Sequence, residues 1–246
     1  MSTTKVVPGL LLATASVDKA AVEAAARMAR HIRDALKARG RAAIALSGGS
    51  SPVGAYRLLA KDTLDWTKID VFWVDERCVP ANHDRSNYRA AKEALLDPAG
   101  VPPPNVHRMR GEASDPAIAA ADYDATLREV VTSKIGGIPS LDLVVLGVGD
   151  DGHTASLFPG EATTQITDRL VAAVPARADR EARLTLTVPV LENARATVLV
   201  AVGANKHPAL ERVWAANGSL DETPARVIRG FRGSITWVID RAAGGM

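Results

Sequence analysis

Short apolar runs alternate with amphipathic segments along most of the chain. Over Val17–Arg39 the apolar residues recur at alternating steps of three and four, which predicts a long helix with one apolar stripe. Ser16 is placed to cap the start of this helix, and Gly40 is placed to end it. The predicted stripe consists of Val22, Ala25, Ala29, Ile32 and Leu36.

Four apolar runs predict buried strands. They cover Ala42–Leu46 and residues 71–74, 141–148 and 196–202. Each run ends in a polar or glycine-rich turn, and helical patterns follow over residues 53–61, 86–96 and 208–214. Residues 184–188 and 235–239 are two further strand candidates.

This alternation predicts an α/β fold with a Rossmann-like, mostly parallel sheet that carries helices on both faces. In such sheets, ligands bind outside the carboxyl ends of the strands. The turns that follow the four predicted strands are therefore expected at one edge, and their residues are interpreted together as one site. Since no repeat, low-complexity tract or long linker divides the sequence, residues 1–246 are interpreted as a single α/β domain.

Composition narrows the class of partner. A chain of 246 residues that is 47% hydrophobic is able to bury a large core. Thirty basic and 28 acidic residues give a net charge of +2 without a run of like charges, so a small molecule is expected rather than a nucleic acid or a membrane. The lone cysteine, Cys78, excludes an internal disulfide and fits a cytoplasmic protein.

The glycine-rich turn after the first predicted strand is a candidate phosphate site. Ser47, Gly48, Gly49, Ser50 and Ser51 offer backbone N–H groups and hydroxyls at the start of a predicted helix, where the helix dipole favours an anion. The turn lacks the Gly-Lys-Ser/Thr of a nucleoside-triphosphate loop, and a plain tight turn is the alternative. A nucleophilic Ser50 is the weaker hypothesis, because the last glycine of a nucleophile elbow is absent.

The other turns supply acid–base and charged groups. His153 lies two residues after Asp151, close enough for the carboxylate to orient the imidazole. Residues 75–77, Asp-Glu-Arg, are interpreted either as substrate-facing groups or as a salt-bridged turn. Lys206 is a second phosphate contact or a surface lysine. The remaining histidines form no ligand spacing with His153, so no metal site is expected.

Residues 147–152 match the dinucleotide pattern G-x-G-x-x-G after a predicted strand. Asp150 and Asp151 would bring two carboxylates to a turn that needs N–H donors for a pyrophosphate, which weakens this interpretation. A nucleotide-dependent oxidoreductase stays open as an alternative, as does a sugar-phosphate sensor without catalytic activity.

Six motifs in chain order resemble those of the 6-phosphogluconolactonase family, which is related to glucosamine-6-phosphate deaminases. They are SGGSSP at 47–52, DERCVP at 75–80, SNY at 86–88, LGVGDDGHTASLFP at 146–159, RLT at 183–185 and GANK at 203–206. The resemblance spans nearly the whole chain. It implies the fold shared by glucosamine-6-phosphate deaminases and ribose-5-phosphate isomerases, no cofactor, a phosphosugar lactone as the partner, and a monomer or small homo-oligomer.

The resemblance also implies roles for particular residues. His153 corresponds to the proposed general base of the family and Asp151 to its neighbouring aspartate. The glycine-rich turn and Lys206 correspond to the phosphate site, and Arg77 and Arg183 to groups that bind the anionic substrate.

The deaminase branch carries a glutamate five residues after this histidine and a tyrosine after the Asp-Glu pair. This chain has Phe158 and Arg77 there, which favours the lactonase branch. The expected reaction converts 6-phospho-D-glucono-1,5-lactone to 6-phospho-D-gluconate, the second step of the oxidative pentose phosphate pathway. His153 would take a proton from the attacking water and return it to the ring oxygen. Asp75 and Asp151 are the other candidate catalytic groups.

Overall fold

The computed structural model describes residues 5–246, which form eleven strands and eight α-helices. The strands are β1 Leu10–Thr14, β2 Ala42–Leu46, β3 Ile69–Trp73, β4 Asp75–Arg77, β5 Lys134–Ile135, β6 Ile138–Pro139, β7 Leu143–Leu146, β8 Val171–Val174, β9 Arg183–Leu186, β10 Ala196–Ala201 and β11 Ser234–Asp240. The helices are α1 Val17–Arg39, α2 Ser50–Leu59, α3 Asn87–Ala91, α4 Asp97–Ala99, α5 Pro116–Val130, α6 Val188–Glu192, α7 His207–Trp214 and α8 Arg241–Gly244.

Six strands form a parallel sheet in the order β1-β11-β10-β7-β2-β3, with helices around it. The predicted α/β fold with a mostly parallel sheet is confirmed. The four strands that precede the candidate turns, β10, β7, β2 and β3, are neighbours in the sheet. Parallel neighbours end at the same edge, so the turns that follow them are brought together there.

A smaller antiparallel sheet, in the order β4-β9-β8, lies outside the parallel one. The predicted strand at 184–188 exists as β9, but it belongs to this second sheet. The segment interpreted as a turn, Asp75–Arg77, is itself the short strand β4 that pairs with β9. The sequence analysis did not predict the edge strand β1, the β5–β6 hairpin, the strand β8 or the helix α5.

Helix α1 has the predicted boundaries and caps. The Ser16 side chain accepts a hydrogen bond from the Lys19 N–H, and Gly40 ends the helix with a left-handed φ of 73°. The predicted stripe is wrong at Val22, whose exposed fraction is 54%. The buried face is Ala20, Ala24, Ala25, Met28, Ala29, Ile32 and Ala35. In so alanine-rich a helix, several stripes fit the apolar pattern, and packing against the sheet and α2 decides which one is buried.

This correction gives a stability test. Ile32 is fully buried, so Ile32→Ala is expected to lower the free energy of unfolding by about 2–5 kcal/mol, through lost burial and the cavity that remains. The matched change Val22→Ala removes exposed methyl groups and is expected to stay within about 0.5 kcal/mol. Urea unfolding of both variants measures the difference; equal losses would show that α1 packs by the stripe predicted from the sequence.

Candidate functional site

A cleft lies at the carboxyl edge of the parallel sheet, with an empty volume of about 670 Å³ including its open mouth. Loops that follow four adjacent strands contribute to its lining. The residues singled out from the sequence that line it are Ser47, Gly48, Gly49, Ser50, Ser51, Asp75, Arg77, His153 and Lys206. The structure therefore assembles most of the candidate residues in one place.

The glycine-rich loop turns directly from β2 into α2. Gly49 precedes the helix with φ 92°, a left-handed value that favours glycine. Ser47 is fixed by the buried Tyr56, whose hydroxyl accepts from the Ser47 N–H at 3.1 Å and donates to the Ser47 carbonyl at 2.9 Å. Burial raises the pKa of Tyr56, so the phenol stays protonated and able to make both bonds. No described side chain caps α2, so its first N–H groups face the cleft as potential anion donors.

Asn87 connects the glycine-rich loop to the segment that follows β3. The sequence analysis assigned it no role. Its side-chain amide donates to the carbonyl of Asp75 at 2.9 Å and lies against Gly48 so closely that a Cβ there would overlap it. Asn87 belongs to the SNY motif, but the spacing of that motif does not show which groups its amide contacts. A glycine at position 48 thus allows the close approach of Asn87.

The two carboxylates after β3 have different surroundings. Asp75 is buried at the cleft, where it accepts from the Ser156 hydroxyl at 2.7 Å. Glu76 points the other way and accepts from the N–H groups of Arg77, Asn87 and Tyr88 at 2.7–2.8 Å. Burial raises the pKa of Glu76, and these hydrogen bonds offset it only in part. The interpretation of Glu76 as substrate-facing is wrong, because its carboxylate anchors the start of α3.

His153 and Asp151 form the expected pair. His153 Nδ1 lies 2.6 Å from Asp151 Oδ1, and the same oxygen accepts from the His153 N–H at 3.0 Å. The imidazole packs beside the Phe158 ring, with centroids 4.8 Å apart. A Cβ on Gly149 would overlap both His153 and Asp151, so this loop closes only around a glycine. Since an ionised carboxylate only accepts, Nδ1 carries the proton and Nε2 is left as the basic nitrogen.

The environment of Asp151 keeps it ionised. Partial burial raises its pKa, but the hydrogen bond and charge of His153 outweigh burial and lower the pKa to about 2. A depressed native pKa contributes stability above the unfolded value of about 3.9, and this contribution is lost as the pH falls from there towards 2. Asp151 does not line the cleft, so its contact with the site runs through His153.

Arg77 and Arg183 lie opposite each other on β4 and β9. Arg77 lines the cleft, and its guanidinium donates to the Arg85 carbonyl at 2.7 Å. Arg183 is not among the lining residues; as the cross-strand partner of Arg77 it lies on the same face of the small sheet and donates to Glu181 at 3.2 Å. Burial and the neighbouring charge of Arg77 lower the pKa of Arg183 to about 10, so it remains a cation at neutral pH.

Lys206 lies in the single helical turn Ala204–Lys206 that follows β10. Its ammonium lies 2.7 Å from Asp150 Oδ1 and faces the cleft with one fifth of its side chain exposed. The hydrogen bond from Lys206 lowers the pKa of Asp150. The structure thus places the lysine in the cleft, as expected, but in an ion pair with the aspartate next to Asp151.

The dinucleotide pattern at 147–152 lacks the helix that it requires. After Gly152 the chain makes a bridge between Thr154 and Leu157, and no helix begins there.

Within residues 5–246, no group of three or more His, Cys, Asp or Glu side chains is arranged to hold a metal ion. In the same part of the chain, every helix is too short or too polar to cross a membrane.

These features define an α/β protein with a His153–Asp151 pair and an uncapped, glycine-led helix start at the carboxyl edge of its sheet. The family model of glucosamine-6-phosphate isomerases/6-phosphogluconolactonase matches residues 15–237. A 6-phosphogluconolactonase of Synechocystis is 41% identical over 213 residues, 87% of this chain and 88% of that protein. One of Nostoc is 42% identical over 210 residues, 85% of this chain and 86% of that protein. The chain belongs to this family.

Solved structures agree with this assignment. The 6-phosphogluconolactonase of Trypanosoma brucei has a TM-score of 0.86 and 25% identity, with 99% of each chain covered. A monomeric glucosamine-6-phosphate deaminase has a TM-score of 0.80 at 20% identity, over 96% of this chain and 99% of that one, which shows the shared fold.

The depressed pKa of Asp151 is testable by titration. His153→Ala removes the side-chain bond and charge that oppose burial, so the pKa of Asp151 is expected to rise to or above the ordinary value. Carboxyl ¹³C NMR over roughly pH 3 to 5 should show little titration of Asp151 in the parent and a clear step in the variant. Asp168, whose pKa is lowered by Arg169 instead, is the internal control and should not change. An unchanged Asp151 titration would contradict the pairing.

Proposed function

We propose that the protein hydrolyses 6-phospho-D-glucono-1,5-lactone to 6-phospho-D-gluconate, the second step of the oxidative pentose phosphate pathway. The observation that carries this proposal is the 2.6 Å contact between His153 and Asp151 in the same cleft as the glycine-rich loop and Lys206. An acid–base group and a phosphate cradle in one cleft suit a substrate that carries a hydrolysable carbonyl at one end and a phosphate at the other.

His153 acts as the general base in this proposal. Asp151 holds the proton on Nδ1, so Nε2 accepts a proton from water as the hydroxide forms its bond to the lactone carbonyl carbon. The imidazolium then donates that proton to the ring oxygen as the C–O bond breaks, which gives the hydroxyl and a carboxylic acid; the acid releases its proton to solvent and becomes the carboxylate of the product. Asp151 stabilises the imidazolium between the two transfers.

Asp75 is assigned a supporting role, because its oxygens are already engaged. One accepts from the Ser156 hydroxyl at 2.7 Å, and the other lies 3.3 Å from the Asn87 amide. A carboxylate held in this way fixes the surrounding loops, whereas His153 retains a nitrogen without such a bond in the described residues. Arg77, which lines the cleft, supplies a positive charge for the oxyanion that forms at the carbonyl.

We assign binding of the substrate's phosphate group to the start of α2 and to Lys206. The free N–H groups after Gly49 bind an anion without the cost of a competing side-chain cap, and the ammonium adds charge. Arg183, the cross-strand neighbour of Arg77, adds positive charge beside the cleft. Binding energy from the phosphate is then available to orient the distant carbonyl carbon.

The defining experiment is turnover of freshly prepared 6-phosphogluconolactone, with the spontaneous opening in water subtracted. Enzymatic hydrolysis above that blank supports the proposal. Binding of the phosphosugar without turnover would favour the sensor hypothesis, and saturable binding of a nicotinamide dinucleotide would favour the oxidoreductase.

The role of His153 predicts a specific kinetic loss. His153→Ala is expected to lower kcat about 10²-fold or more with a smaller change in KM, because the proton transfers occur in the transition state. Any rise of kcat/KM with pH that depends on this base should vanish in this variant. His31→Ala, on the distant helix α1, is the matched control. Near-parental turnover in His153→Ala would require another base.

The phosphate cradle predicts a preference for the phosphorylated lactone. Gluconolactone is expected to show a higher KM and also a lower kcat, because the phosphate orients the carbonyl carbon. Lys206→Ala should reduce this preference, whereas Lys68→Ala, which removes a salt-bridged lysine just before β3, should leave it unchanged. Equal kinetics for both lactones in the parent protein would contradict the assignment of the cradle.

A further inference from the structure

Asp150 is tied to the phosphate side of the cleft, although it is next to Asp151. Its Oδ1 lies 2.7 Å from Lys206 Nζ, and both its oxygens lie 3.1 Å from the Asn205 amide. Its backbone carbonyl accepts from the Arg212 guanidinium at 3.0 Å. Two adjacent carboxylates on one loop therefore contact different groups of the cleft: Asp151 bonds the histidine and Asp150 pairs with the lysine.

The charge of Asp150 acts against an anion at Lys206. A phosphate oxygen in contact with the same ammonium would lie within about 6 Å of the carboxylate, since charge-assisted bonds to nitrogen measure about 2.7–2.9 Å each. The carboxylate and a phosphate dianion then repel each other at a distance shorter than the screening length of physiological salt, about 8 Å. The same contact also neutralises part of the charge by which Lys206 attracts the phosphate.

If Asp150 kept Lys206 in place before the phosphate binds, it would strengthen phosphate binding. This gain is smaller than the loss from repulsion between Asp150 and the phosphate. The lysine side chain is already four fifths covered, whereas that of Asp150 is 58% exposed. Exposed ion pairs of this kind contribute little to holding a side chain in place. Repulsion from a doubly charged ligand therefore outweighs the benefit of a lysine that is ordered in advance.

We propose that Asp150 lowers the affinity of the cleft for phosphate ligands, because it offsets the charge of Lys206 and repels the phosphate. This inference rests on the proposed function, because it places the phosphate at Lys206. Weaker phosphate binding favours release of the product, which carries the same phosphate as the substrate together with a new carboxylate. Substitution of Asp150 by a neutral residue should accordingly tighten product binding.

Calorimetric titration with 6-phosphogluconate and with inorganic phosphate tests the inference. Asp150→Asn is expected to lower the Kd for both ligands about three- to tenfold at low ionic strength, and the gain should shrink as salt is added. Asp150→Ala, which removes the hydrogen-bonding group as well, should also bind more tightly than the parent. A merely structural role would weaken binding in both variants, so the direction of the change separates the two explanations.

Two comparisons complete the design. Asp34→Asn removes the same charge from an exposed, salt-bridged aspartate near the end of α1 and should leave the Kd unchanged. Lys206→Ala should raise the Kd. An unchanged or higher Kd in Asp150→Asn, in a parent that does bind 6-phosphogluconate, would overturn the role of Asp150 alone. No binding by the parent would overturn the proposed function together with it.

Discussion

The parallel register of the central sheet is the constraint on which the site depends. Because β3, β2, β7 and β10 are neighbours and run in one direction, the loops that follow them end at a single edge. Segments from residue 47 to residue 206 are thereby brought around one cleft. No individual loop supplies all the groups of the proposed site; together these loops do, because they share one edge.

Close packing between the loops then fixes the side chains. Gly48 admits Asn87 to the end of β2, and Gly149 admits the ring of His153, positions where a Cβ would overlap the neighbour. Buried carboxylates fix the same loops. Glu76 accepts hydrogen bonds from N–H groups at the start of α3, and Asp75 accepts one from the Ser156 hydroxyl. The glycines and carboxylates of these motifs thus explain the geometry of the cleft before any substrate is considered.

The sequence was informative where residue type and strand order together decide the outcome. Buried apolar runs predicted strands of the sheet, and because a turn follows the carboxyl end of each run, His153, Lys206 and the glycine-rich loop were expected at one edge, where they lie. The sequence did not predict which face of α1 is buried, because several apolar stripes fit the pattern equally well and packing decides between them. Val22 fits the apolar period of α1 yet lies outside the buried face.

The directions of charged side chains were also beyond the sequence. Glu76 and Arg77 alternate along a short strand, so one faces inward and the other faces the cleft, and this depends on the pairing of β4 with β9. The same pairing puts Arg183 beside Arg77 on one face of the small sheet, although only Arg77 lines the cleft. The ion pair of Lys206 with Asp150 joins loops 56 residues apart, and spacing alone does not indicate it.

Backbone amide NMR with 6-phosphogluconate as the titrant tests most directly whether this edge is the binding site. The shift changes are expected to cluster in residues 47–51, 75–77, 147–153 and 203–206, the loops of the cleft. Changes confined to the other large groove, between α5 and β8, or no saturable change at all, would contradict the account.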